Sequence, residues 1–126
     1  MNRTTEDAPL RVFVEYRVIP ERREEYEARM RAWQDRLTRL PVAAYSRYEG
    51  WDQPHLMVET YLVPDAAAYR LLKDLRTGQR EGDAPWQLGP CVEGGAEKVH
   101  VWAFLPLDGD DAGCTERIRP EQGGRR

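Results

Sequence analysis

Between residues 10 and 105 the spacing of apolar residues alternates between that of a strand and that of a helix, and this rhythm leaves few folds open. In 10–18, Leu10, Val12, Val14, Tyr16 and Val18 share one side while Arg11, Phe13, Glu15 and Arg17 share the other, the period of a strand. Pro20 stops that strand and suits the first turn of a helix. Over 21–40, Tyr26, Met30, Trp33, Leu37 and Leu40 fall four and three apart, one stripe along a helix closed by Pro41. Its other faces carry acid-first pairs four apart, such as Glu25–Arg29 and Glu27–Arg31, and read as solvated.

Strand period returns over 43–49 and, past the Gly50–Pro54 turn, over 55–63. Asp65 then caps a helix to about residue 76, with Ala68, Leu71, Leu72 and Leu75 as its buried stripe and Gly78 as its stop. After a long connection, 79–95, the segment 98–105 alternates again. The order β-α-β-β-α-β with short, right-handed connections predicts an α+β, ferredoxin-like domain. It is a four-stranded antiparallel sheet with both helices on one face and the first and third strands central.

Length and charge narrow the class. A chain of 126 residues has room for one core. With 19 Lys+Arg against 22 Asp+Glu, a net charge of −3 and no basic block, no nucleic-acid partner is expected. No apolar run reaches the length of a membrane span, and the start lacks a secretory apolar stretch, so no membrane partner and a cytoplasmic location are expected. Residues 1–9 read as a disordered leader, 10–107 as the folded domain and 108–126 as a flexible polar tail.

The aliphatic sets assign the faces of the sheet. Val12, Val14, Leu56, Val58, Leu62, Val99 and Val101 are expected against the helices. Phe13, Met57, Tyr61, Trp102 and Phe104, interleaved with Glu15, Glu59, Lys98 and His100, are expected on the other side. So aromatic a face suits burial against a second copy, giving a homodimer through stacked sheets.

The strand bearing Glu15, the stretch YEGWDQPHLMVETYLV and the terminal CVEGGAEKVHVWAFLP resemble the dimeric α/β-barrel superfamily, in particular bacterial members of the antibiotic-biosynthesis-monooxygenase and NIPSNAP-like kinds. The resemblance covers about residues 10–107. It implies a homodimer and a range of activities, from cofactor-free oxygenation of aromatic molecules through haem degradation and isomerisation to none. Haem-degrading members use a helix-borne histidine; here His55 lies at a turn and His100 in a strand, so no haem is expected.

If the middles of the strands lie level, Glu15, Glu59 and His100 meet on one face, a candidate catalytic acid/base set. Two carboxylates in a partly dry site would push one pKa upward. Alternatively, Glu15 and Glu59 pair with Arg11, Arg17, Arg47 or Lys98 and fix the dimer register. Trp102, Tyr61, Trp86 and Trp33 are the candidate ligand-binding aromatics, Trp86 as a lid carried on 79–95. His55 and Glu59 are four apart on a strand and cannot clasp one ion, and no metal or cofactor is expected. Cys91 has no histidine near it in sequence and reads as an inert buried thiol. The sequence thus supports a monooxygenase-like enzyme acting without cofactor on a small aromatic or lipophilic molecule, or a non-catalytic or stress-related dimer that binds such a ligand.

Overall fold

Pairing in the computed structural model, which describes residues 5–112, sets the strands in the order β2-β3-β1-β4, all neighbours antiparallel. The elements are β1 (Leu10–Arg17), α1 (Arg23–Leu37), β2 (Ala43–Glu49), β3 (Leu56–Val63), α2 (Ala66–Arg76) and β4 (His100–Phe104). This is the expected ferredoxin-like α+β arrangement, with β1 and β3 central. The ends of α1 retreat from the expected 21–40. Pro20–Arg22 forms a separate 3-10 turn, and the chain after Leu37 turns out at Thr38, whose hydroxyl bonds the Asp35 carbonyl. Asp65 caps α2 as its side chain predicts, accepting from the Ala68 N–H at 2.9 Å.

The core lies between the sheet and the two helices. Tyr26, Met30, Trp33 and Leu37 of α1 and Ala68, Leu72 and Leu75 of α2 are buried against Val12, Val14 and Tyr16 of β1. The stripes predicted from helical spacing are therefore the stripes that pack.

The strand β3 corrects the expected faces. In the register Val12–Tyr61, Val14–Glu59 and Tyr16–Met57 are cross-strand partners, and partners share a face. Met57, Glu59 and Tyr61 therefore point toward the helices, while Leu56, Val58, Thr60 and Leu62 lie on the other side. The aliphatic count misled because both faces of β3 carry large side chains. The core here seats a carboxylate and a phenol, which alternation alone assigns to the outside. Along β4 the expectation holds: Val101 and Ala103 pair with the inward residues of β1, and His100, Trp102 and Phe104 lie on the open face.

The connection 79–95 is tied down rather than projecting. Val92 forms a β-bridge with Val18, and the Ile19 N–H bonds the Cys91 carbonyl at 2.8 Å. Arg29 donates to the Gln87 carbonyl at 3.0 Å, and Leu88, Cys91 and Val92 are buried. At the start of the described chain, Thr5–Asp7 is a 3-10 turn whose Glu6 meets Arg70 of α2. Beyond β4, Asp111 clasps Arg11 with two bonds of 2.7 Å, bringing the chain back over the Leu10 end of the open face. The rest of the tail expected over 108–126 lies, from residue 113, outside the described residues.

Candidate functional site

The register divides the predicted site residues into two groups on opposite sides of the sheet. Glu59, Tyr61, Trp33 and Trp86 gather between sheet and helices; Glu15, His100 and Trp102 stay together on the open face. The expected set of Glu15, Glu59 and His100 is therefore not one constellation, because Val58, not Glu59, shares a face with Glu15 and His100.

On the inner side β3 offers Glu59 to the end of α2, where Arg76 reaches back into the core. Arg76 Nε lies 3.0 Å from Glu59 Oε1 and Nη2 2.5 Å from Oε2, a bidentate pair with both side chains fully buried. Tyr16 and Tyr61 donate their hydroxyls to the two carboxylate oxygens. With four donors, the acceptor positions of Glu59 are filled and none is left for a substrate. Around this centre, Trp33 Nε1 donates to the Tyr61 hydroxyl at 2.7 Å, and the Tyr16 and Tyr26 hydroxyls meet at 2.8 Å. The Arg76 guanidinium sits 4.0 Å over the Trp33 ring and also donates to the Trp86 carbonyl at 3.1 Å and to Met30 Sδ at 3.5 Å.

The charges follow from this packing. Burial, and after it the Glu59 charge, hold the Tyr16 and Tyr61 phenols well above their usual pKa. Burial works against the Arg76 charge, but the attraction and hydrogen bonds of Glu59 together with the neighbouring Tyr61 and Tyr16 outweigh it, and the guanidinium stays protonated. Trp86, expected as a lid, is 5% exposed and packs on Trp33 with ring centres 5.1 Å apart. Cys91 is buried, and burial raises its thiol, as expected of an inert cysteine.

On the open face, Phe13, Glu15, Val58, Trp102 and Phe104 line a shallow apolar dish of about 430 Å³. Phe13 and Phe104 meet edge to face at 5.5 Å, and His100 stacks on Trp102 at 5.8 Å. Trp102 is 45% exposed and Phe104 55%, a large apolar surface to leave in water. A second dish of about 450 Å³, of mixed polar and apolar lining, adjoins it beyond Glu15 and includes Arg17, Leu56, Glu93, Lys98 and His100. Glu15 and His100 are cross-strand partners and belong to this junction.

Sequence reasoning missed Arg76, the residue that decides where Glu59 goes. The available signal was an arginine at the end of a helix, four residues after Leu72 and so on the apolar stripe that Leu72 and Leu75 share. It also missed the relay at the β2–β3 hairpin, where Arg23 bridges Glu27 and Glu49 and approaches His55 Nδ1 at 3.2 Å. Among the described residues no three His, Cys, Asp or Glu side chains gather as metal ligands would, and no helix is long and apolar enough to cross a membrane.

Comparison with solved structures places this architecture. A crystal structure described as an antibiotic biosynthesis monooxygenase superposes with a TM-score of 0.60 at 17% identity, over 79% of this chain and 99% of that one. The chain has that ferredoxin-like fold. The Mycobacterium tuberculosis protein Rv0793 matches with a TM-score of 0.59 at 20% identity, over 81% of this chain and 98% of its own. A conserved protein from Methanosarcina mazei Go1 matches with 0.61 at 11% identity, over 82% and 97%. No protein-family model matches the sequence, and no curated protein matches it either.

Proposed function

We propose that this chain acts in the cytoplasm as a homodimer joined through its open sheet faces, and that it binds a small aromatic or lipophilic molecule between them. The observation that carries the reading is the apolar dish of Phe13, Val58, Trp102 and Phe104, half-exposed in one chain and bordered by Glu15. Stacked sheets pack about 10 Å apart, so two shallow dishes facing each other enclose a space that neither encloses alone. Aromatic walls supply most of the contact, and Glu15 and His100 supply the polar groups that orient a ligand. Glu59 and Arg76 hold the inner side of the sheet rigid behind this surface and leave the ligand to the other face.

The Glu15–His100 neighbourhood favours a second reading, cofactor-independent oxygenation of an electron-rich aromatic; a neighbour in fold at 17% identity is described as an antibiotic biosynthesis monooxygenase. A phenolic substrate must lose a proton before it readily passes an electron to dioxygen. A carboxylate or neutral imidazole beside an apolar wall is suited to accept that proton.

The two readings separate by experiment. In an NMR titration with indole, binding to the dish shifts Phe13, Trp102 and Phe104 resonances and is lost in Trp102→Ala; shifts confined to other regions would refute the site. Oxygen consumption with a dihydroxynaphthalene, abolished in Glu15→Gln, would add turnover to binding. Its absence leaves a binding protein.

A further inference from the structure

The buried cluster around Glu59 contains more than an ion pair: it is a connected series of oxidisable rings running from Trp86 in the 79–95 connection to Tyr26 on the buried side of α1. Trp86 contacts Trp33 with ring centres 5.1 Å apart; Trp33 stands perpendicular to Tyr61 at 6.5 Å and donates its indole N–H to the Tyr61 hydroxyl at 2.7 Å. Tyr61 and Tyr16 share the Glu59 carboxylate, and Tyr16 leads on to Tyr26 with ring centres 5.9 Å apart. Trp33, Tyr26 and Tyr61 are sealed from solvent and Tyr16 is 2% exposed, whereas Trp86 retains 5% exposure.

From this geometry we propose that the cluster is a one-electron redox site that stores an oxidising equivalent as a neutral tyrosyl radical on Tyr61 or Tyr16, with the phenolic proton held on Glu59. The co-reactant is a one-electron oxidant, a metal complex or an organic radical, approaching at Trp86. It is reduced by one electron, Trp86 is oxidised, and an electron from Tyr61 refills Trp86 by way of Trp33. The Tyr61 O–H bond breaks as that electron leaves, and an O–H bond forms on Glu59 Oε1, to which the proton is already hydrogen-bonded. The cluster thereby gains one positive charge, matching the electron lost. An equivalent transfer from Tyr16 uses Oε2. Returning one electron and moving the proton back restores the resting state.

Two features direct the vacancy to a tyrosine. The Arg76 cation lies 4.0 Å over Trp33 and opposes a second positive charge on that ring, so Trp33 passes the vacancy on instead of keeping it. Tyr61 and Tyr16 can release their protons without any movement, because the acceptor is in place. Oxidised phenols are short-lived where water and other chains reach them. Here the reacting hydroxyls are buried, with Trp33, Tyr26 and the half-buried Tyr45, 5.3 Å from Tyr61 between ring centres, packed around them.

The test oxidises the full chain with photogenerated tris(bipyridine)ruthenium(III), freezes it at successive times and records electron paramagnetic resonance spectra with ring-deuterated tyrosine. A tyrosyl signal is expected in the wild type and in Tyr48→Phe, which changes an exposed ring. It is expected to disappear in Tyr16→Phe/Tyr61→Phe and to rise more slowly in Trp86→Phe. These variants remove a hydroxyl or shrink one ring, and circular dichroism checks that each is folded. A signal that persists undiminished in the folded double variant would overturn the proposal, as would one that vanishes in Tyr48→Phe or the absence of any tyrosyl signal from folded wild-type protein.

Discussion

Replacing Arg76 with methionine isolates the interaction that organises the inner side of the sheet. Methionine keeps much of the aliphatic volume but removes two bonds to Glu59, at 3.0 and 2.5 Å, one to the Trp86 carbonyl at 3.1 Å, and the cation over Trp33. The main penalty is the Glu59 carboxylate, left buried with only the Tyr16 and Tyr61 hydroxyls to stabilise its charge. Breaking a buried pair from one side costs about 3–5 kcal/mol. For a domain of about 100 residues that lowers Tm by roughly 12–25 °C, and the loss is a large part of a total stability of about 5–15 kcal/mol. Urea unfolding followed by circular dichroism measures the loss. Arg70→Ala is the comparison, since its pair with Glu6 is mostly exposed and is worth only about 0–1 kcal/mol. The cycle completed by Glu59→Gln and the double variant should show strong coupling, because the second change removes the charge that the first left stranded. An Arg76→Met loss no larger than that of Arg70→Ala would refute the reasoning, for it would mean that water reaches the carboxylate.

Other consequences are open to direct measurement. Arg23 and, after it, the His55 backbone N–H hold the Glu49 carboxyl down from its usual 4.5 to about 2. Its contribution is therefore complete above pH 4.5 and lost as pH falls toward 2; Glu49→Gln should flatten the stability profile in that window and leave the profile above it parallel to wild type. At the alkaline end, Tyr16 and Tyr61 are raised above 10.0, so their protonated state stabilises the fold below pH 10 and that contribution fades above it. Spectrophotometric titration should show their ionisation only together with unfolding, and free ionisation in the folded protein would contradict the buried placement. Gly50→Ala should cost about 1–3 kcal/mol, because a Cβ there would lie 2.8 Å from the Gln53 carbonyl oxygen across the β2–β3 turn. Thermal unfolding checks the loss; an unchanged Tm would mean that the turn relaxes freely.

The element order was legible in the sequence because period alone carries it, and Asp65 marks an end that the backbone respects, whereas α1 begins only after the Pro20–Arg22 turn and stops at Leu37, short of Pro41. The faces were legible wherever one side of a strand is plainly the apolar one. Val12 and Val14 face the helices, and so do Val101 and Ala103, against Trp102 and Phe104. On β3 the rule failed for a physical reason. Glu59 is inside because Arg76, 17 positions along the chain, arrives to neutralise it, and no local pattern records a partner brought by tertiary packing. Once Glu59 is inside, Tyr61 and Met57 follow, since one residue fixes the orientation of the whole strand. The same misassignment had grouped Glu59 with Glu15 and His100; the register separates them and leaves Glu15 and His100 as the part of the expected set that shares the open face. The role of the 79–95 connection was hidden for a similar reason: Trp86 is held by Arg76 and Trp33, which spacing along the chain does not reveal.

Sedimentation equilibrium of the wild type beside Phe13→Glu, at tens of micromolar, bears most directly on the proposal that the open face joins two copies. The wild type should sediment at twice the 14.6 kDa of the chain and the variant at the mass of one. A wild-type protein that remains at the single mass, or a variant that dimerises as well as wild type, would contradict it.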